Sequence, residues 1–132
     1  MEAPYHDTKH DVAEMKRCPS QELRLAAAAI RFDVRLRSSD MPVHMQEHAL
    51  RCTRSFVNSS PERRPNNTLL ARSLKKEFDS LYGPAWHCVV GTSFGSFITH
   101  SLGGFVYFSA DSLSVLLFKT EVRLVIEPDS LK

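Results

Sequence analysis

Between residues 86 and 119 the sequence is a series of short apolar segments separated by only a few turn residues. The segments occupy residues 86–91, 94–100, 105–109 and 113–119, with Gly, Ser and Asp between them. Segments of this kind predict strands. Because parallel strands need long crossover connections, the short spacing predicts an antiparallel sheet. Any helices must therefore come from the upstream part of the chain.

A further strand is predicted ahead of the helices, because apolar and charged residues alternate there. The apolar residues of this pattern are Ile30, Phe32, Val34 and Leu36. A period of two is typical of a strand with one buried face. Residues 1–25 show no sustained period and predict a flexible tail, with a short helix over residues 22–29.

Two helices are predicted from apolar residues that recur on one helical face. The first stripe is Met45, Ala49, Cys52 and Phe56, and the second is Leu70, Leu74, Phe78 and Leu81. Pro42 suits the first turn of the first helix, which Asp40 is expected to cap. After a loop over residues 58–67, Thr68 is expected to cap the second helix, and Gly83-Pro84 ends it.

The element order is one strand, two helices and then a four-stranded antiparallel run, which predicts an α+β domain. A chain of 132 residues suffices for one compact domain with extensions. We assign residues 30–119 to this domain. Residues 1–29 are then a flexible N-terminal extension, and residues 120–132 are a C-terminal extension.

The composition argues against several classes of function. Hydrophobic residues make up 42% of the chain and charged residues 24%, and no apolar run is long enough to cross a bilayer. A net charge of +2 is too small to indicate nucleic-acid binding. Residues 1–9 lack the features of a secretory signal, so the expected compartment is the cytoplasm. No glycine-rich phosphate loop is present, and no cofactor is expected.

The cysteines predict free thiols. Cys18, Cys52 and Cys88 are widely spaced and odd in number, which argues against a disulfide framework and against paired metal-knuckle spacing. His87 and Cys88 are neighbours on a predicted strand and point to opposite faces, so they are not expected to form a catalytic pair.

Gly91, Ser93 and Gly95 match the G-x-S-x-G pattern of a nucleophile elbow. That pattern needs a helix after the serine, whereas residues 94–100 predict a strand. No histidine follows Asp111 to complete the order of that catalytic triad. A tight turn is therefore the favoured interpretation.

His44, Glu47 and His48 match H-x-x-E-H, in which two histidines one helical turn apart hold zinc and the glutamate acts as a base. A catalytic zinc also needs a third ligand from another segment and an enclosed cleft, and the sequence marks neither. Two exposed histidines on an amphipathic helix are favoured, and a zinc hydrolase is kept as an alternative.

One ordered series of residues carries a family resemblance. The series is Leu74-Lys75-Lys76-Glu77-Phe78-Asp79, Tyr82, Pro84, Trp86-His87-Cys88-Val89-Val90-Gly91, Phe94-Gly95-Ser96-Phe97, Thr99-His100, Phe105-Val106-Tyr107-Phe108 and Leu116-Leu117-Phe118-Lys119. Over residues 69–119 it resembles the dynein light chain family, in its small dimeric hub type. Residues 30–58 agree with that family in pattern, strand and then helix.

The resemblance implies a non-catalytic, two-fold dimer. In this family the strand matching residues 94–100 crosses to the partner subunit and completes its sheet. The free edge of that strand borders a groove shared with the second helix, here residues 69–81, and an extended peptide adds there as one more strand. In such strand addition, backbone hydrogen bonds supply affinity and side-chain pockets supply selection.

Site residues follow from the resemblance by position. Those expected to bind a partner peptide are Phe94, Gly95, Ser96, Phe97, Ile98, Thr99, His100, Asn67, Thr68, Phe105 and Tyr107. Those expected at the dimer interface are His87, Ser93, Phe97 and Thr99. His87 corresponds to the family's interface histidine, whose protonation would place like charges across the two-fold axis. Acid is therefore expected to dissociate the dimer.

The resemblance also implies a light chain subunit of a cytoplasmic dynein-type microtubule motor, associated with the cytoskeleton. The expected partners are a second copy of the chain, the dynein intermediate chain, and other proteins with disordered linear motifs that contain a Thr-Gln-Thr core. Neither nucleic acid nor a membrane is expected as a partner. A dimer with two equal grooves would hold two partner chains together and promote their dimerisation.

Some positions depart from the family pattern. Asn66, Asn67 and Thr68 stand where members often place charged residues, so the preferred motif stays open. Ser109 stands where many members have an aromatic residue, which removes stacking area from one groove pocket. A structural subunit that dimerises but has lost motif binding is therefore an alternative.

Overall fold

The computed structural model of the protein describes residues 19–60, 66–122 and 125. These residues form three helices and four strands. In chain order they are α1 (Pro19–Arg31), β1 (Val34–Asp40), α2 (Val43–Asn58), α3 (Asn67–Tyr82), β2 (Trp86–Gly91), β3 (Phe105–Ala110) and β4 (Leu113–Lys119). The strands pair antiparallel in the order β1-β3-β4-β2. The predicted α+β class with an antiparallel sheet is confirmed.

The core lies between one face of the sheet and helices α2 and α3. The largest fully buried side chains are Trp86, Phe78, Phe108, Leu50, Leu70, Leu74, Leu117, Val106, Val115 and Thr53. Most of them are helix residues three or four apart or strand residues two apart, so each of these elements buries one face. Leu81, which was predicted to be buried, is 56% exposed. None of the described helices is long and apolar enough to span a membrane.

The start of the fold differs from the prediction. The short helix predicted over residues 22–29 is present, but it is longer and extends from Pro19 to Arg31. Ile30, predicted to open a strand, lies in this helix and is 81% exposed. β1 begins only at Val34, after a turn in which Asp33 has a φ of 55°. Residues 1–18 of the predicted flexible tail lie outside the described residues, as do 123–124 and 126–132 of the C-terminal extension.

The two predicted helix caps are wrong. Pro42 is the N-cap of α2 and no side chain caps this end. Asp40 instead accepts a 3.0 Å hydrogen bond from the backbone amide of Gly103. At α3 the cap is Asn66, whose side-chain oxygen accepts a 3.0 Å hydrogen bond from the amide of Leu69. Thr68 lies inside the helix, so its side chain is not at the N-cap position from which it could accept a hydrogen bond from the first free amides.

Residues 94–100 do not form the predicted strand within one chain. β2 ends at Gly91, residues 92–93 bend, and regular structure resumes at Phe105. A strand is defined by hydrogen bonds to a neighbouring strand. In the described part of the chain, no backbone–backbone hydrogen bond involves residues 92–100. The segment therefore has the residue types of a strand, but within the described part of the chain it has no neighbouring strand to pair with.

Candidate partner-binding surface

Strand β2 lies at one end of the sheet and has one open edge. It pairs with β4 from Trp86 opposite Lys119 to Gly91 opposite Ser114. The sheet order places no described strand on its other side. Such an edge presents unpaired N–H and C=O groups to which another strand can bind.

The segment directly after β2 is exposed in its middle. Phe97 has an exposed fraction of 104%, and Gly95, Ser96 and Thr99 are also exposed. A Cβ added at Gly95 would meet nothing within 4 Å. Ile98 is half-buried. This part of the predicted peptide-binding strand is therefore accessible from several directions in one chain.

The two ends of the segment are held against the sheet by aromatic contacts. The rings of Phe94 and Tyr107 lie 6.1 Å apart between centroids. At the other end, His100 stacks on Phe105 at 4.8 Å with an interplanar angle of 17°, and its Nδ1 lies 2.8 Å from the carbonyl oxygen of Ser101. The structure thus brings together four of the predicted peptide-binding residues in two pairs.

The sheet face that carries these contacts is apolar, although it faces away from the helices. Tyr107 and Val89 both lie opposite Leu116, and Phe105 lies opposite Phe118. Leu116 is buried but lies outside the core cluster. An antiparallel sheet with one solvated face normally has polar residues there. Apolar residues on this face are typical of a surface that another molecule covers.

The predicted dimer-interface residues are all exposed, on or just after β2. His87 stacks on Phe118 at 5.3 Å, and its Nε2 lies 3.2 Å from the hydroxyl of Thr120. Ser93 lies in the bend after β2, with Phe97 and Thr99 beyond it. Their positions make this edge accessible to a second copy of the chain.

Helix α3 fixes the position of β2. Lys75 Nζ donates to the carbonyl oxygen of Trp86 at 2.7 Å and to Asp79 at 2.8 Å. The carboxylate of Asp79 also accepts a 2.8 Å hydrogen bond from the amide of Trp86. Both backbone polar groups of Trp86 are therefore bound by side chains of α3.

Asn67 and Thr68, predicted to bind a partner peptide, occupy the first turn of α3. Among the described residues, however, no hydrogen bond or ring contact joins them to residues 94–100 of the same chain. One chain therefore presents the helix side and the strand side of the groove as separate surfaces.

The catalytic patterns are not assembled. Ser93 is exposed, and residues 94–100 directly after it are not helical. Glu47, the glutamate of H-x-x-E-H, binds Arg24 at 2.8 Å. His44 is exposed as expected, but His48 is not: its side chain is only 12% exposed and hydrogen-bonds to Tyr82 and Glu77. The interpretation of two exposed histidines is correct for one of the pair and wrong for the other.

The two cysteines in the described residues are free thiols. Burial raises the pKa of Cys88 to about 12, so this thiol is protonated and packs as an apolar group. Burial also raises the pKa of Cys52, and the nearby Glu77 adds to the effect. Cys18 lies outside the described residues.

Comparison with known proteins agrees with this geometry. The family described as "Dynein light chain type 1" matches residues 33–120, two thirds of the chain. The chain belongs to the dynein light chain family. A dynein light chain of Schistosoma mansoni is 36% identical over 85 residues, which are 64% of this chain and 91% of that protein. Dynein and microtubule association follow from the family.

Solved structures show the same fold. The dynein light chain-like domain of the calcium-binding protein FhCaBP2 from Fasciola hepatica superposes with a TM-score of 0.56 at 24% identity, covering 68% of this chain and 94% of that one. The dynein light chain-like domain of CsTAL3 gives a TM-score of 0.52 at 18% identity, covering 66% of this chain and 92% of that one. At these identities the likeness shows the fold alone.

Proposed function

We propose that this chain is a homodimeric, non-catalytic light chain subunit of a cytoplasmic dynein-type microtubule motor complex. It binds linear motifs of the dynein intermediate chain and of other partners by strand addition, and it promotes their dimerisation. The observation that carries the proposal is the open edge of β2 together with residues 94–100, a segment exposed in its middle whose backbone has no partner within the described part of the chain.

These two features complement each other in a two-fold arrangement. Each chain has an open strand edge and a strand-like segment without a partner. In a pair of chains, the segment of each can form backbone hydrogen bonds with the open edge of the other. A two-fold interface joins the same surface of both subunits. Residues 92–99 contain no charged residue and no proline. Charged residues and proline are the usual means by which an exposed strand edge avoids pairing with other chains. The absence of this protection favours a segment that is covered in the working state.

The apolar outer face of the sheet supports the same arrangement. Val89 is 41% exposed and lies opposite the buried Leu116, and Phe97, on the segment that follows β2, is fully exposed. Burying such side chains contributes about 25 cal/mol for each Å² of apolar surface removed from water. A second copy of the chain would gain this contribution on both sides of the interface.

Peptide binding follows from what remains open after dimerisation. Residues 94–100 have two edges, and pairing with β2 of the partner subunit uses one of them. The other edge faces a groove toward α3, where an extended motif with a Thr-Gln-Thr core would add as a strand. The open space around Gly95 permits close approach of a backbone. Two equal grooves hold two partner chains side by side and raise their effective concentration.

The test combines molar mass by light scattering with titration of a fluorescent Thr-Gln-Thr peptide. We expect the wild type to be a dimer that binds the peptide with micromolar affinity. The Phe94→Ala/Thr99→Ala variant should lose binding, and Phe97→Ala should weaken the dimer. Leu102→Ala is the matched control, because Leu102 is 95% exposed but lies outside residues 94–100.

The outcomes separate the alternatives. A monomeric wild type contradicts the proposal as a whole. A stable dimer that binds neither this peptide nor an intermediate chain fragment indicates a structural subunit without motif binding. An equal loss of dimer in Leu102→Ala and Phe97→Ala would show that residues 94–100 have no special role.

A further inference from the structure

A group of three different metal-binding side chains lies between α2 and α3. His48 and Cys52 are four residues apart on α2, so they occupy one face of this helix. Glu77 reaches them from α3. One nitrogen of His48, the sulfur of Cys52 and one carboxylate oxygen of Glu77 all lie within 4.8 Å of one another. Among the described residues, no other group of three such side chains is as close.

The surroundings already orient the imidazole. Nε2 of His48 lies 3.0 Å from the carboxylate of Glu77, and Nδ1 lies 2.9 Å from the hydroxyl of Tyr82. The rings of Phe78 and Tyr82 pack against the imidazole at 5.4 and 5.8 Å. A histidine that binds a metal through one nitrogen almost always has the other nitrogen hydrogen-bonded, which fixes ring orientation and tautomer.

We propose that His48, Cys52 and Glu77 form a binding site for a zinc ion that links α2 to α3, with water as the fourth ligand. Thiolate, imidazole and carboxylate are the three ligand types that zinc uses in proteins. Calcium and magnesium require oxygen ligands, of which this group offers only one carboxylate. The site therefore selects a borderline-soft divalent cation.

Zinc binding requires a change in the protonation of His48 and of Cys52. In the zinc-bound state Nε2 of His48 offers its lone pair to the metal, and Nδ1, 2.9 Å from the hydroxyl oxygen of Tyr82, carries the proton and donates to that oxygen. The Cys52 thiol loses its proton to solvent as the zinc–sulfur bond forms. In the metal-free site Nε2–H of His48 donates to the Glu77 carboxylate at 3.0 Å. On binding, this proton is exchanged through solvent to Nδ1, and the carboxylate oxygen turns to the cation. Glu77 is 47% exposed on its side chain, so the cation and its water have a route from solvent.

This ligand set differs from H-x-x-E-H. Glu47 binds Arg24 and is not available to His48. His44 lies one turn before His48, is exposed and contacts Tyr82 edge-on at 6.1 Å. Zinc held by the two histidines would depend on His44 and not on Cys52, whereas the proposed site has the opposite dependence. The site binds a structural cation and requires no catalytic glutamate.

The first test is zinc titration of the purified full chain after removal of metal, in competition with a chromogenic chelator. We expect one zinc per chain with micromolar or tighter affinity, and no displacement by calcium or magnesium. Cys52→Ser and His48→Gln should each weaken binding at least tenfold. His44→Gln and Cys88→Ser should leave the affinity unchanged. Loss of binding in His44→Gln but not in Cys52→Ser would overturn the proposal.

A second measurement does not depend on altering the site. In a Cys18→Ser/Cys88→Ser variant, Cys52 is the only thiol. Addition of cobalt should produce a thiolate-to-cobalt charge-transfer band in the near ultraviolet and the intense visible bands of a tetrahedral site. One equivalent of zinc should remove both. Absence of the charge-transfer band in this folded variant would overturn the assignment of Cys52 as a ligand.

Discussion

The carboxylate of Asp79 accepts a 2.8 Å hydrogen bond from the backbone amide of Trp86, which joins helix α3 to the first residue of β2. Lys75 completes the arrangement by donating to Asp79 and to the carbonyl oxygen of Trp86. Since β2 is the edge strand of the proposed dimer interface, these three residues fix the position of its first residue. The same hydrogen bonds therefore stabilise the fold and hold the edge at which the second chain would bind.

Asp79→Asn should destabilise the fold in a pH-dependent way. Desolvation acts to raise the pKa of Asp79, but hydrogen bonds from Lys75 and from the amide of Trp86 outweigh it, so the pKa lies below its usual value. A carboxyl with a lowered pKa stabilises the fold above its unfolded-state pKa of about 3.9. This contribution is lost as the pH falls through the folded-state pKa. Urea unfolding at neutral pH should show a loss of about 1–2 kcal/mol.

The same measurement at about pH 3 checks the cause, because the difference between wild type and variant should shrink there. Ser80→Ala, at an exposed position of the same helix, is the control and should change the free energy of unfolding little at either pH. An equal loss for Asp79→Asn at both pH values would show that its charge is not responsible.

Replacement of Arg54 should destabilise two turns at once. Its guanidinium donates to the carbonyl oxygens of Phe32 and Asp33 at 2.7 and 3.0 Å and to both carboxylate oxygens of Asp111 at 3.2 Å. Asp33 and Asp111 have positive φ angles of 55° and 56°, which are unfavourable for residues with a side chain. Arg54→Met should lower the free energy of unfolding by about 2–3 kcal/mol, since it leaves these groups without partners.

Arg54→Lys should recover only part of this loss, because an ammonium cannot match the planar fork of the guanidinium. Urea unfolding of both variants gives the comparison, and Arg51→Met, exposed on the same helix, is the control. Full stability of Arg54→Lys would mean that one charge suffices and that the geometry of the fork is irrelevant.

Local periodicity predicted the elements whose burial follows a single face. The strands Trp86–Gly91 and Leu113–Lys119 have the bounds that alternation and turn residues gave. The stripe of Leu70, Leu74 and Phe78 is fully buried. The predicted start of the first strand at Ile30 was wrong. Ile30 is an exposed residue of α1 that happens to fit the alternating pattern of β1. At α3 the sequence predicted Thr68 as the cap, but the cap lies two residues earlier, at Asn66.

Contacts between distant parts of the chain were beyond local patterns. His48 and Glu77 are 29 residues apart in sequence and meet only because α2 and α3 pack together. The spacing of His44, His48 and Cys52 at four-residue intervals was visible and could have indicated a face rich in metal ligands. Residues 94–100 have the composition of a strand, but whether they form one depends on a neighbour that a single sequence does not specify.

Gly104→Ala should lower the stability of the fold, whereas Gly95→Ala should leave stability unchanged and weaken peptide binding. A Cβ at Gly104 would lie 2.8 Å from the Cβ of Lys119, with which Gly104 also shares a backbone hydrogen bond. This contact is too close, so strands β3 and β4 must move apart, and we expect a loss of about 1–3 kcal/mol in urea unfolding. Gly95→Ala meets no atom within 4 Å and should leave stability unchanged.

Peptide titration then completes the comparison. Gly95→Ala should weaken binding of the Thr-Gln-Thr peptide, because the added methyl group obstructs the approach of a backbone in the proposed groove. Unchanged affinity in this variant would place the peptide elsewhere. Unchanged stability of Gly104→Ala would show that the end of the β3–β4 pair adjusts freely.

Protonation of His87 should dissociate the proposed dimer. His87 lies exposed on the edge strand, stacked on Phe118 and within 3.2 Å of the hydroxyl of Thr120. The family resemblance implies that, in the proposed dimer, the two copies of His87 lie across the two-fold axis from each other. Positive charge on both would then be repulsive. Sedimentation equilibrium should show a dimer dissociation constant at least about tenfold higher near pH 5 than at neutral pH.

Two histidine variants identify the group that responds. His87→Gln cannot take up the proton and should stay dimeric in acid, whereas His100→Gln should dissociate like the wild type. His100 is a suitable comparison because it belongs to the same surface but stacks on Phe105 at the far end of residues 94–100. The same dimer fraction for the wild type at both pH values, over a wide concentration range, would show that His87 does not control assembly. If the His87→Gln variant still dissociates in acid, a titratable group other than His87 causes the dissociation.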